Sequence, residues 1–185
     1  MANVYLLTGD PGTGKTTVIR QALAKSEDNA GGFYTEEIKS GRTRQGFRII
    51  TLDGQSAILA HVDISSPLKV SRYGVDIHTL DKVGTAAIHQ AIKENSLIVI
   101  DEIGKMELLS PLFREATLKA IDSGKKVLGT IMLSPNSFAD QIKRHDQVKV
   151  IQISRTNHDQ VLKDIVRWLE SITNENNPYA NWRHR

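Results

Sequence analysis

The chain has 185 residues, enough for one domain of ordinary size whose core needs no covalent staples. It holds no cysteine, which excludes disulfides and thiolate metal sites and fits a cytoplasmic protein. Its 24 Lys+Arg against 21 Asp+Glu leave a net charge of +3, which suits an anionic ligand without singling out nucleic acid.

No charged segment followed by an apolar stretch opens the chain, so no secretory leader is expected. Residues 4–8 (Val-Tyr-Leu-Leu-Thr) read as a short buried strand that a glycine loop stops, and residues 16–24 follow as a helix. Between 31 and 75 the signal changes. Residues 33–35, 47–52 and 57–62 are β-prone runs separated by Ser40-Gly41 and Asp53-Gly54, turns that favour hairpins, so an antiparallel excursion is expected there. Leu80, Val83, Ala87, Ile88, Ala91 and Ile92 keep helical spacing and predict a helix over 79–94. Residues 97–100 (Leu-Ile-Val-Ile) are an apolar run ending in Asp101-Glu102, far short of the ~20 residues that span a bilayer. Ser110-Pro111 supplies an N-cap and a first-turn proline to a helix that stops at Gly124. A strand over 126–131, a helix over 136–145, a strand over 148–153 and a helix over 159–169 complete the pattern. The expected organisation is one domain over residues 1–172 and a polar tail over 173–185. Alternating strands and helices predict an α/β sandwich, a mostly parallel sheet covered on both faces.

Residues 9–16 (Gly-Asp-Pro-Gly-Thr-Gly-Lys-Thr) satisfy G-x-x-x-x-G-K-[ST] at every required position, between a predicted strand and a predicted helix. Gly9, Gly12 and Gly14 allow backbone dihedrals that turn successive N–H groups into one concavity, and the following helix aims its positive end there. Lys15 supplies a cation for the β- and γ-phosphates, and the Thr16 hydroxyl suits Mg²⁺, a hard ion that keeps several waters. The expected nucleotide-binding loop is therefore Gly9, Asp10, Pro11, Gly12, Thr13, Gly14, Lys15, Thr16 and Thr17, which predicts a P-loop protein. Asp101, at the end of a buried strand, would hold a Mg²⁺ water beside that loop. Glu102 is free for another task, the orientation and deprotonation of an attacking water. The spacing from Lys15 to Asp101 leaves room for an intervening strand. With a Glu after the Asp, this suggests the additional-strand class of P-loop ATPases.

Weaker signals surround this pair. Lys105 is either a cation in cis for the γ-phosphate or a surface lysine paired with Glu107. Thr130 ends the next strand, where its hydroxyl would sense phosphate or water. Arg42, Arg44 and Arg48 cluster in the hairpin region and read as solvated arginines rather than ligands. The six histidines show no metal spacing, and His158 reads as a surface or loop residue.

Taken together, residues 9–17, 32–37 (Gly-Phe-Tyr-Thr-Glu-Glu), Gly46-Phe47, 101–107 (Asp-Glu-Ile-Gly-Lys-Met-Glu) and 129–131 (Gly-Thr-Ile) resemble the small P-loop nucleoside-triphosphatases of the thermophile type. That family includes the human cancer-related nucleoside-triphosphatase. The resemblance covers roughly residues 3–170. It implies a single α/β domain that hydrolyses ATP, GTP and other nucleoside triphosphates to diphosphate and phosphate with Mg²⁺. Ser71 stands where the family pattern has glycine, and Met132 where it has proline. Asn157-His158 replaces Asn-Arg near the base, where Asn157 would contact the nucleotide. The expected partners are nucleoside triphosphates, with no membrane and no specific nucleic acid. Two other functions compete: a kinase that passes the γ-phosphate to a small molecule or polynucleotide, and a nucleic-acid-binding module that nucleotide regulates.

Overall fold

The structure is a computed structural model that describes residues 2–173. The predicted tail over 173–185 falls almost wholly outside the described residues.

The elements in chain order are β1 (Val4–Thr8), α1 (Lys15–Leu23), β2 (Ala30–Ser40), β3 (Thr43–Thr51), β4 (Ser56–His61), β5 (Lys69–Val70) and β6 (Tyr73–Val75). A helical stretch follows, made of α2 (Ile77–Thr79), a π-helical segment over Leu80–Thr85 and α3 (Ala86–Glu94). Then come β7 (Leu97–Ile103), α4 (Pro111–Asp122), β8 (Lys126–Ile131), α5 (Ser137–Lys143), β9 (Val148–Gln152) and α6 (His158–Thr173).

The nine strands among the described residues join one sheet in the order β5-β6-β4-β3-β2-β7-β8-β1-β9. Strands β2, β7, β8, β1 and β9 pair in parallel, and β3, β4, β6 and β5 extend the sheet antiparallel. The antiparallel region is thus no separate unit. Its first strand, β2, pairs with β7 from Ala30 to Tyr34 and only then runs on into the hairpin with β3. The expected intervening strand is also present. It is β8, between β1 and β7, although its sequence comes after Asp101 rather than before it.

The central strands read as unbroken apolar runs because both faces are buried. Val4 and Leu6 of β1, with Ile98 and Ile100 of β7, pack with Ile88, Phe113, Ala116 and Ile142 of the helices on one face. Tyr5, Leu7, Leu97 and Val99 pack on the other with Val18, Ile19, Val161, Ile165 and Trp168. The period of two along each strand thus sorts side chains into two cores under two helical layers. The α6 layer is also fastened by polar bonds. Trp168 stacks on Tyr5 at 4.1 Å between centroids and donates its indole N–H to the Ala2 carbonyl at 3.2 Å. The Lys126 ammonium donates to Asp28 at 3.0 Å and to the Leu169 carbonyl at 2.6 Å, so this buried cation is matched in full.

Several boundaries differ from the sequence expectation for local reasons. The helix expected over 79–94 begins earlier, because Asp76 accepts the Thr79 N–H at 2.9 Å and caps α2. The helix expected over 136–145 is shorter, with Asn136 outside it as the cap of α5. Ser110 caps α4 as expected and accepts the Phe113 N–H at 3.0 Å. No helix among the described residues is long and apolar enough to cross a membrane.

Candidate active site

Strand β1 ends at Thr8, and residues 9–14 loop over the carboxyl edge of the sheet into α1. Gly9 has φ 151°, and a side chain there would press on the Ile153 carbonyl at 2.4 Å. Gly14 has φ 86° and caps α1, with its carbonyl accepting the Val18 N–H at 2.9 Å. These dihedrals favour glycine and let the loop curl back on the helix end, where α1 adds its positive pole. The Thr13 hydroxyl donates to the Asp10 carbonyl at 2.9 Å and stiffens the curl. The Lys15 ammonium donates to the carbonyls of Gly9 and Asp10 at 2.9 and 3.0 Å. It is folded onto the rim of its own loop, beside the concavity that backbone N–H groups form.

Asp101 and Glu102 arrive from β7. Asp101 is 2% exposed, and one carboxylate oxygen accepts the Thr130 hydroxyl. Burial raises its carboxyl above the ordinary aspartate value, against bonds from Thr130 and Thr16 and the charge of Lys15. Its second oxygen, Oδ2, is buried with no partner. A buried, unsatisfied carboxylate oxygen next to the Thr16 hydroxyl fits a hard divalent cation, whose charge would compensate the desolvation. Among the described residues no group of three or more His, Asp or Glu could hold a metal alone. An ion held there would take one hydroxyl and one carboxylate from the protein, with water and phosphate oxygens completing its shell.

Glu102 opens into a cleft of about 620 Å³ that Gly9, Asp10, Pro11, Gly12, Gly14, Lys15, Thr16, Thr17 and Lys105 also line. Burial raises its carboxyl too, helped by the Asp101 charge and opposed by Lys15. A carboxylate with an elevated pKa beside a phosphate loop suits proton abstraction from water.

Four expected residues stand apart from the cleft wall: Asp101, buried behind it, and Thr130, Thr13 and Asn157. Thr130 is fully buried beneath it and holds Asp101. Thr13 stiffens the loop from outside. Asn157 accepts the Ser154 N–H at 2.8 Å and donates to the Gln152 carbonyl at 3.0 Å, so its amide shapes the β9–α6 turn. His158 opens α6 and is partly exposed. Its ring lies close enough to Gly14 that a side chain there would meet Nε2 at 2.9 Å. Lys105 makes no ion pair with Glu107 among the described residues, because Glu107 is 3% exposed and turned inward. Glu107 is the residue the sequence reading passed over. It lines the cleft, and burial and the charges of Glu102 and Asp101 raise its carboxyl well above the ordinary glutamate value. The hairpin contributes Thr35, Glu36, Glu37, Arg44 and Phe47 to the same cleft, so Arg44, although its side chain is 41% exposed, is also a wall residue. The one sequence signal for these was their place in the Thr-Glu-Glu and Gly-Phe segments.

A phosphate loop on one parallel strand, an acid pair at the end of another and a single strand between them define a P-loop α/β protein that binds nucleoside triphosphates. The profile of the NTPase family matches residues 4–166. The chain is 46% identical over 172 residues to the nucleoside-triphosphatase THEP1 of Thermotoga petrophila, covering 93% of this chain and 96% of that protein. It is 35% identical to the human cancer-related nucleoside-triphosphatase, covering 92% and 98%. The crystal structure of THEP1 from Aquifex aeolicus superposes with a TM-score of 0.83 at 33% identity, covering 90% of this chain and 99% of that one. The chain belongs to this nucleoside-triphosphatase family.

Proposed function

We propose that the protein hydrolyses Mg²⁺-bound nucleoside triphosphates, ATP and GTP among them, to the diphosphate and phosphate. One observation carries this reading: Lys15 and Thr16 of the phosphate loop share a single cleft with Glu102, beside the buried Asp101. The Lys15 ammonium exchanges the two loop carbonyls for oxygens of the β- and γ-phosphates, and the loop N–H groups hold the remaining oxygens. Thr16 and Asp101 would hold the Mg²⁺, which when bound would supply charge neutralisation for the triphosphate. Glu102 takes a proton from water as the water oxygen bonds to the γ-phosphorus. The bond from that phosphorus to the β–γ bridging oxygen breaks, and the diphosphate leaves. Lys105, on the loop above β7, adds positive charge beside the γ-phosphoryl group.

A second reading has one observation in its favour. Phe47, Val70, Met106, Met132 and Leu133 give the cleft an apolar wall that hydrolysis does not need, and an acceptor molecule would fill it. Water is the preferred acceptor, because Glu102 already serves it without further parts.

Phosphate release from ATP, GTP, CTP and UTP, with and without small acceptors, tests both readings. Lys15→Ala is expected to abolish tight triphosphate binding, because the loop then gathers the phosphate charges without its cation. Glu102→Gln is expected to keep binding and lose ~10²-fold or more in rate. Asp101→Asn is expected to weaken the Mg²⁺ dependence itself. Equal loss of binding in both acid variants would show that Glu102 is not the base.

A further inference from the structure

Beyond Tyr34, which pairs with Asp101 at the end of β7, strand β2 continues from Thr35 to Ser40 and carries the hairpin past the carboxyl edge of the sheet. Its two faces do different things. On one, Glu36 holds Arg20 of α1 at 3.3 Å and Arg48 at 4.0 Å. On the other, Glu37 pairs with Arg44 and also with Lys39, the latter at 2.8 Å. Two cations therefore share one carboxylate at the wall of the cleft. Partial burial pulls the Glu37 carboxyl up, but the bonds and charges of Lys39 and Arg44 outweigh it and hold it below the ordinary glutamate value.

Arg44 is left with capacity to spare. Its guanidinium lies 5.3 Å from the centroid of the Phe47 ring, which fixes the plane of the fork. Its Nε is buried and has no hydrogen-bond partner. An orphaned, desolvated donor on a cation costs free energy until an acceptor reaches it. The carbonyl of Arg44 accepts from the Arg72 guanidinium, so its backbone is also held. Among the described residues no other arginine lines the cleft that holds Lys15 and Glu102.

We propose that Arg44 is a catalytic residue of the hydrolysis, leaving Glu37 to place its fork on oxygens of the γ-phosphoryl group. The assignment rests on the nucleoside-triphosphatase reading above. Exchange is cheap at the Glu37 end, because Lys39 stays on that carboxylate when Arg44 departs. Gain is concentrated in the transition state, where charge spreads over the equatorial oxygens of the transferring group and a planar bidentate donor fits them. Lys15 is committed to the loop side of the phosphates. Arg44 brings the hairpin to the other.

The test compares the parent chain with Arg44→Ala, Arg44→Lys and Arg48→Ala. It measures kcat and KM for ATP with Mg²⁺, and the affinity for ADP with and without aluminium fluoride, which mimics the planar phosphoryl group. Arg44→Ala is expected to lose on the order of 10³-fold in kcat, with little change in KM or in ADP affinity. The tightening that aluminium fluoride gives the parent should disappear. Arg44→Lys keeps the charge but not the fork, and should recover less than about a tenth of the lost rate. Arg48→Ala, on the opposite face, should match the parent. Turnover of Arg44→Ala at the parent rate overturns the assignment. So does a loss of ADP affinity in step with kcat, which would make Arg44 a structural or ground-state contact. If the parent releases no phosphate from any triphosphate, the nucleoside-triphosphatase reading itself fails and this assignment falls with it.

Discussion

Ser71 has φ 55°, a left-handed conformation that costs an L side chain roughly 1–2 kcal/mol and costs glycine little. It sits in the turn between β5 and β6. Ser71→Gly is therefore expected to stabilise the protein by about 0.5–1 kcal/mol, the relief of strain less the added freedom of the unfolded chain. Urea titration of the two proteins gives the answer, and kcat should not move. A lower midpoint would mean that the serine hydroxyl compensates the backbone. Glu107 makes the opposite case, a residue whose cost is electrostatic. Burial, then the charges of Glu102 and Asp101, raise its folded-state pKa well above the unfolded one, so the folded protein binds that proton more tightly. Its contribution is complete below the unfolded-state value and is lost as pH rises through the folded-state value. Glu107→Gln is expected to raise the thermal midpoint at pH 7 and to flatten the fall of stability with pH above the ordinary glutamate range. Thermal melts across pH 4–8 check both, and an unchanged slope would place the titration elsewhere.

At the scale of elements, the legible parts were those whose sequence repeats a physical constraint. The phosphate loop needs its glycines, lysine and hydroxyl at fixed spacing, and Gly9 and Gly14 hold the dihedrals that spacing predicts. Strands β1 and β7 announce themselves because burial on both faces leaves no polar position before Thr8 and Asp101. The hairpin was legible as turns and not as a site. Arg42, Arg44 and Arg48 read as solvated arginines, and Glu36 and Glu37 only as part of a family segment, since nothing local says that β2 runs past the end of β7. Only the tertiary register between Tyr34 and Asp101 places the hairpin at the cleft. Glu107 stayed hidden for a related reason. A glutamate two residues after Lys105 looks like its ion partner, yet the short helical turn over Glu107–Leu109 directs that carboxyl inward.

For the whole molecule, the ordering β7-β8-β1 sets the acid pair one strand away from the phosphate loop, so Thr130 of β8 can bond Asp101 from between them. The cleft forms where the hairpin carries the sheet beyond its own carboxyl edge, and several cations of the hairpin and the core pair with acids. Arg20 and Arg48 share Glu36, Arg44 and Lys39 share Glu37, and Lys126 is buried on Asp28. This pairing argues against a surface built for a polyanion. A net charge of only +3 gives weak attraction to a strand of phosphates, and the stacked pair Tyr5 and Trp168 lies inside the core, where no base can reach it. RNA or DNA binding is therefore expected to be weak and non-specific. It should fall steeply between about 50 and 200 mM salt, as counterion release requires. Free nucleotide should turn over with no nucleic acid present. Labelled single- and double-stranded oligonucleotides titrated at about 150 mM salt, with and without ATP, decide the matter. Sub-micromolar binding there, or phosphate release that begins only when RNA is added, would replace a free-standing nucleotidase with one that nucleic acid switches on.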